Sequence, residues 1–124
     1  MANEAEILQY LEDNSLTASK TSSGLYYIID NPGSSNKPDL CDDVTVIYNG
    51  YLTNGDVFDS STDGVEFGLS NVILGWQEGI MLYGEGGTGK LLIPSKLAYA
   101  LNPPSADIPV NAVLIFDIEL LQIN

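Results

Sequence analysis

A single segment in the middle of the chain, residues 71–83, carries apolar side chains at helical spacing. These side chains fall one, three, four and three positions apart, as on one face of a helix: Val72, Ile73, Trp76, Ile80 and Tyr83. Ser70 or Asn71 can cap the start of this helix, and the glycine-rich run that begins at Gly84 ends it. The fold therefore has to be arranged around one central helix.

Short strand-like runs separated by turn residues lie on both sides of this helix. Residue types that favour strands are concentrated in the segments 25–29, 44–52, 57–61, 65–69, 90–93 and 112–123. The Asn54-Gly55 pair between two of these runs is a strong hairpin signal. Because the strands and helices do not alternate regularly, the pattern predicts an α+β fold with an antiparallel sheet packed on the helix.

The first 24 residues predict a short helix followed by a linker. Asn3 can cap a helix start, Glu6 can reach back to its amide, and an apolar stripe follows, so residues 4–12 are predicted to form an amphipathic helix. Residues 17–24 are small and polar, as in a linker.

Charge and composition exclude several functional classes. The 124 residues suit one domain with one core. The sequence contains no run of about 18 apolar residues, which is the length that a membrane-spanning helix needs. The net charge of −13 repels phosphate backbones and anionic lipid headgroups, which disfavours nucleic-acid and membrane-surface roles. One cysteine excludes an internal disulfide, and the absence of histidine excludes a histidine-based triad or histidine metal ligands. We expect neither a metal nor a cofactor.

The glycine-rich segment 84–90 has the spacing of a phosphate-binding loop but not its context. Leu91 stands where such a loop needs the serine or threonine that holds magnesium. The segment also follows a helix and enters a strand, whereas a phosphate loop leads from a strand into a helix N-terminus. It is therefore predicted to be a turn.

Six aromatic residues are spread over the strands and the helix: Tyr48, Phe58, Phe67, Trp76, Tyr99 and Phe116. Aromatic side chains at such positions either fill a core or line a binding pocket, and periodicity alone favours the core. Asp59, between Phe58 and two serines, is either a functional hydrogen-bond acceptor or a turn cap.

Four motifs in order give the sequence a resemblance to the FKBP family of prolyl isomerases. They are V-I-Y-N-G-Y-L with F-D-S-S (residues 46–52 and 58–61), V-I-L-G-W-Q-E-G-I (72–80), I-P-S-K-L-A-Y (93–99), and I-P-V-N-A with L-I-F-D-I-E-L-L (108–112 and 114–121). The resemblance implies an antiparallel half-barrel of five to six strands wrapped around the central helix. Residues 25–124 would form this domain, after the helix and linker of residues 1–24.

The resemblance also implies a pocket between helix and sheet, with a role for each matching position. Trp76 would form the floor, Tyr99 and the Ile73 amide would bind substrate carbonyls, and Asp59 would be an acceptor at the rim. The catalytic group would be Asp59, Tyr99, Trp76 and Phe58. The substrate-binding group would be Tyr48, Val72, Ile73, Ile108, Phe116 and Val65.

The function that the resemblance implies is peptidyl-prolyl cis/trans isomerisation of proline-containing polypeptides, with macrolides of the FK506 and rapamycin type as ligands. A catalytically weak chaperone or binding module with the same fold is the alternative, and a structural adhesin-type domain without a pocket is a third. The lead-in at residues 23–29 is similar to that of exported bacterial members of the family. It favours a periplasmic or cell-envelope location over the cytoplasm, although the first residues carry no signal peptide.

Overall fold

The computed structural model describes residues 2–21, 23–39, 41–53, 55–94 and 113–123, apart from the side chains at positions 2–4, 59, 62 and 71. The elements are α1 (Ala2–Asp13), β1 (Ser19–Lys20), β2 (Tyr26–Asn31), β3 (Asp43–Tyr51), β4 (Val57–Gly68), a 3₁₀ turn (Leu69–Asn71), α2 (Leu74–Ile80), β5 (Thr88–Ile93) and β6 (Leu114–Ile123). Among the described residues, no helix is long and apolar enough to cross a bilayer.

The strands form one six-stranded antiparallel sheet in the order β1-β2-β5-β6-β3-β4. The long C-terminal strand β6 lies between β5 and β3, so the two halves of the sheet are joined by a segment from the end of the chain. The predicted α+β half-barrel of five to six strands with a central helix and a short N-terminal helix is confirmed.

The alternation of side chains along each strand gives the sheet two faces with different coverings. Leu91, Ile93 and Phe116 lie on the inner face, in a buried cluster that includes Trp76 and Ile80 of α2. Neighbouring positions on the same strands point to the outer face, where part of the sheet is covered by the apolar side of α1 in a second cluster: Ile7, Leu11, Tyr26, Leu92, Val113 and Ile115.

The central helix is shorter than its apolar period predicts. The predicted helix over residues 71–83 is wrong at both ends, since α2 spans only Leu74–Ile80 and Ile73 is its N-cap, without a side-chain capping bond. Val72 and Ile73 are extended. The Gln77 side chain holds them in that form, because its Nε2 donates to the Val72 carbonyl at 2.9 Å.

Two further segments differ from the sequence prediction. The runs predicted as separate strands at 57–61 and 65–69 form the continuous strand β4, which keeps its pairing with β3 through register shifts. Within the predicted linker, Ser19 and Lys20 pair with β2 as β1. The predicted division of the chain at residues 24 and 25 stays a prediction.

The glycine-rich segment is a turn, as predicted, and it connects the end of α2 to β5. Gly84 N donates to the Pro32 carbonyl at 2.8 Å, and Ser34 N donates to the Glu85 carbonyl at 2.9 Å. Gly86 N donates to the Leu120 carbonyl of β6 at 2.7 Å. The turn therefore fastens the loop after β2 to the end of β6, and its amides are used within the protein.

Candidate active site

The indole of Trp76 lies at the centre of an aromatic cluster on the inner face. Its ring centroid is 5.3 Å from that of Tyr48, 5.1 Å from Phe67 and 5.2 Å from Phe116, with interplanar angles of 84°, 72° and 84°. These edge-to-face contacts are the arrangement that aromatic quadrupoles favour, at about 0.5–1.5 kcal/mol per pair beyond burial. Three rings from three strands therefore fix the orientation of the indole.

Strand register brings these rings together. Tyr48 on β3 pairs with Ile118 of β6, and Gly50 pairs with Phe116, so Tyr48 and Phe116 are diagonal neighbours on the inner face. Their centroids are 6.3 Å apart. Phe58 on β4 meets Phe116 edge-on at 5.5 Å. Four of the residues predicted for the site, Tyr48, Phe58, Trp76 and Phe116, therefore lie in one cluster.

The sequence analysis missed Gly50 as a residue of this site. A Cβ at Gly50 would lie 2.8 Å from Phe116 Cε1 and 2.9 Å from Phe58 Cζ. Because Gly50 has no side chain, the rings of Phe116 and Phe58 can meet above β3 at this position. Only the cross-strand contacts reveal this, since the sequence around position 50 reads as an ordinary strand with a glycine.

Phe67 also belongs to the cluster, although it was not among the predicted site residues. Its ring lies 5.8 Å from Tyr48, in addition to its contact with Trp76. The signal was present, because Phe67 is one of the six aromatic residues and alternates with Val65 along β4. No motif that carried the resemblance contained it.

The aliphatic residues predicted for the site occupy different places. Val72 and Ile73 are partly buried and pack against the inner-face cluster. The Ile73 N–H stands before the first turn of α2, where the helix ladder does not use it. Val65 pairs with Val46 and is half-buried, but it is not among the described side chains that pack on this cluster.

Tyr99, Ile108 and the side chain of Asp59 lie outside the described residues. The backbone of Asp59 is opposite Gly50 in the β3–β4 ladder, beside Phe58.

The indole nitrogen is the notable polar atom of the cluster. Trp76 is 4% exposed, and its Nε1 has no hydrogen-bond partner among the described residues. A buried donor without a partner costs about 1–3 kcal/mol, so such an atom in a native structure calls for an explanation.

Two tyrosines that lie outside the Trp76 ring contacts have shifted pKa values. Burial raises the pKa of Tyr83 above its usual range, and burial together with hydrogen bonds to Tyr10 and Asp117 does the same for Tyr51. Neither tyrosine contacts Trp76 in the described ring pairs. In the described part of the chain, no three acidic or cysteine side chains are close enough to hold a metal ion.

Known proteins are similar in sequence to most of this chain. FkpA of Aeromonas hydrophila, an FKBP-type peptidyl-prolyl cis-trans isomerase, is 48% identical over 107 residues, which cover 84% of this chain and 40% of the relative. The FKBP-type 22 kDa peptidyl-prolyl cis-trans isomerase of Escherichia coli K12 is 39% identical over 127 residues, covering 98% of this chain and 62% of the relative. The chain spans about half the length of the curated relatives it matches.

Solved structures agree with the sequence relatives. The crystal structure of FkpA from Escherichia coli matches with a TM-score of 0.87 and 37% identity, over 99% of this chain and 60% of that chain. A peptidyl-prolyl cis-trans isomerase from Pseudomonas syringae matches with a TM-score of 0.86 and 30% identity, over 99% and 93%. The family model of FKBP-type peptidyl-prolyl cis-trans isomerases matches residues 34–121. The chain therefore belongs to the FKBP-type peptidyl-prolyl cis-trans isomerase family.

Proposed function

We propose that the inner-face cluster is the active pocket of a peptidyl-prolyl cis/trans isomerase that acts on proline-containing polypeptides. The proposal rests on one observation: the indole of Trp76 is buried, whereas several apolar side chains packed around it are only partly buried. Tyr48, Phe58, Phe67, Val72 and Ile73 all pack on the cluster and keep part of their surface exposed. A prolyl ring placed on the Trp76 face would complete an apolar enclosure.

The chemistry of the reaction suits such an enclosure. Rotation about the peptide C–N bond breaks amide resonance, with a barrier of about 18–20 kcal/mol. The planar amide is more dipolar than the twisted one, so an apolar pocket disfavours the ground state relative to the transition state. No covalent bond to the protein forms, and no proton has to be transferred. A chain without histidine can therefore perform the reaction with position and environment alone.

Specific polar groups would orient the substrate within the pocket. The Ile73 N–H, which precedes α2, and the Tyr99 hydroxyl are the proposed donors to substrate carbonyl oxygens, and Asp59 is the proposed acceptor at the rim. Ile108 and Val65 would complete the wall. The indole N–H of Trp76 supports this assignment, because it is a buried donor without a described partner, and a role in a functional site is one explanation for such a group.

The decisive experiment is a protease-coupled isomerisation assay on a Leu-Pro or Phe-Pro peptide. We expect micromolar protein to accelerate the cis-to-trans step well above the uncatalysed rate, which has a time constant of tens to hundreds of seconds. If the protein captures unfolded polypeptides without any acceleration, the chaperone alternative replaces the proposal.

The substitution Gly50→Ala is expected to lower kcat/KM about tenfold or more. The added methyl group would press on the rings of Phe116 and Phe58 at 2.8–3.0 Å and displace the pocket wall. Gly64→Ala on β4 is the matched control, because its methyl group would crowd the side chains of Thr45 and Leu121 at 2.7–3.0 Å, away from the rings. Equal effects of the two substitutions would contradict the pocket assignment.

A macrolide of the FK506 type is expected to change the intrinsic fluorescence of the protein on titration. Trp76 is the only tryptophan of the chain, so its emission, excited at a wavelength that the seven tyrosines do not absorb, reports on the pocket floor. A saturable change that a Leu-Pro peptide reverses would support a shared site. An unchanged signal, with no displacement of a labelled macrolide, would show that this ligand class does not enter.

We also propose a periplasmic or cell-envelope location, on the basis of the lead-in at residues 23–29. Fractionation of cells that express the gene from its own start codon tests this. Recovery of the protein in the cytoplasmic fraction alone would contradict it.

A further inference from the structure

The outer face of the sheet is only partly covered by α1. The register of the ladders places outward-facing residues in rows that run across the strands. One row contains Tyr51, Ile115, Leu92 and Tyr26, and the apolar side of α1 packs against it. The next row contains Asn49, Asp117 and Lys90, and the one after it contains Ile47, Glu119 and Thr88. The first of these two rows continues into Ile28, which packs against the cluster under α1, whereas the six residues just named are not part of that cluster.

The uncovered rows form the floor and walls of a groove of about 560 Å³, which we call the outer groove. Its lining includes Asp30, Ile47, Asn49, Thr88, Asp117 and Glu119. The volume is within the range of sites that hold a small ligand or a short peptide segment. The outer groove and the Trp76 cluster lie on opposite faces of the same strands, so one occupant cannot fill both.

The outer groove contains more acidic than basic side chains, namely Asp30, Asp117 and Glu119 against Lys90. Lys90 Nζ lies 2.5 Å from Asp117 Oδ1, and the same carboxylate accepts a hydrogen bond from the Tyr51 hydroxyl at 3.0 Å. This lysine is therefore committed to a partner within the protein. In the described part of the chain, the other two carboxylates of the groove, Asp30 and Glu119, have no basic side chain at ion-pair distance.

We propose that the outer groove binds a basic, extended segment of a polypeptide. Two carboxylates without an internal cation give the groove a negative potential, and the net charge of −13 strengthens it over the whole chain. The same charge disfavours a second copy of this chain as the occupant, because two equally acidic molecules repel one another.

The spacing of the outward rows favours an extended chain over an isolated cation as the occupant of the outer groove. In a strand-like peptide, side chains that point the same way recur about every 6.6–6.8 Å, which is also the spacing between successive outward rows of the sheet. The half-buried Ile47 offers an apolar contact beside Glu119, and Asn49 and Thr88 offer hydrogen bonds. An alternation of aliphatic and basic side chains would match this surface. The site lies beyond the prolyl pocket and would hold a part of a client that contains no proline.

A short fluorescein-labelled peptide of lysine, leucine and alanine, without proline, tests the proposal by fluorescence anisotropy. We expect saturable binding that weakens as the salt concentration rises. The double variant Asp30→Asn/Glu119→Gln should weaken binding about three- to tenfold, as the loss of two solvent-accessible charge contacts implies. The double variant Glu12→Gln/Asp43→Asn removes the same charge from exposed positions outside the groove lining and should change it less than twofold.

Nuclear magnetic resonance of the ¹⁵N-labelled protein locates the bound peptide. Amide shifts should concentrate at Ile47, Asn49, Thr88 and Glu119. Equal weakening in both double variants, or shifts that centre on Trp76, would overturn the proposal. A dimer that sedimentation detects without peptide, and that Asp30→Asn/Glu119→Gln dissociates, would assign the groove to a second copy instead.

The isomerase assay separates this proposal from the proposed function. Asp30→Asn/Glu119→Gln should keep the isomerase activity of the unmodified protein, because neither side chain lies on the inner face. If the unmodified protein has isomerase activity but does not bind the basic peptide, only the outer-groove proposal is removed. An inactive protein that still binds the basic peptide removes only the isomerase proposal.

Discussion

Trp76→Ala is expected to reduce the free energy of unfolding by about 3–5 kcal/mol and to abolish isomerase activity. The indole is 4% exposed and touches the rings of Tyr48, Phe67 and Phe116, so its removal leaves a large cavity at the centre of the inner face. The same cavity removes the floor on which a prolyl ring would rest. Urea denaturation measures the first effect, and the protease-coupled assay at a temperature where the variant is folded measures the second.

The matched control for this substitution is Tyr26→Ala. Tyr26 is 7% exposed and is buried in the outer-face cluster under α1, so its loss should also destabilise the fold. Because it lies on the other side of the sheet, the folded fraction should retain its activity. Trp76→Phe keeps an aromatic floor but removes the indole N–H. This variant replaces Trp76→Ala in the activity assay if the alanine variant does not fold. Undiminished activity in both Trp76 variants would refute the pocket.

Gly84→Ala is expected to cost more than about 3 kcal/mol of stability. A Cβ at this position would lie 1.8 Å from the carbonyl oxygen of Ser34 and 2.7 Å from its carbonyl carbon. Both atoms belong to the backbone, so no side-chain rotation can relieve the contact. The turn would have to separate from the loop after β2, with loss of the hydrogen bond from Gly84 N to the Pro32 carbonyl. The shift of the urea midpoint measures the cost.

Gly86→Ala, two residues further in the same turn, separates steric exclusion from backbone strain. Gly86 has φ +83°, and a Cβ there would meet nothing within 4 Å. Its substitution should cost only the left-handed backbone penalty of about 1–2 kcal/mol. A Gly84→Ala protein that is as stable as Gly86→Ala would show that the turn is not docked as described.

Much of the fold followed from patterns that neighbouring residues define. The strands at 44–52 and 90–93, the turn at 84–87 and the short N-terminal helix all depend on local periodicity and turn chemistry, and each is present in the structure. The central helix was predicted too long because Val72 and Ile73 have an apolar period that fits a helix. The Gln77 side chain bonds to the Val72 carbonyl and stabilises an extended pair instead. Periodicity alone does not reveal such a bond.

The candidate site was predictable in part, and for a different reason. The four motifs predicted that Trp76, Tyr48, Phe58 and Phe116 belong to one site, and the rings of these residues do lie together. Gly50 and Phe67 were missed, because their part in the cluster depends on which strands are neighbours. The roles of Asp59, Tyr99, Ile108 and Val65 remain predictions.

The amino-acid sequence was enough to assign the family and the α+β class and to name the aromatic residues available for a pocket. The sequence does not predict a property that depends on contacts between residues that are distant along the chain. The close approach of Gly84 to Ser34, the meeting of Phe58 and Phe116 over Gly50, and the groove that α1 leaves open are all of that kind. Only the strand order β1-β2-β5-β6-β3-β4 brings these residues together, because a non-sequential order is stabilised by the packing of the whole sheet and by no single segment.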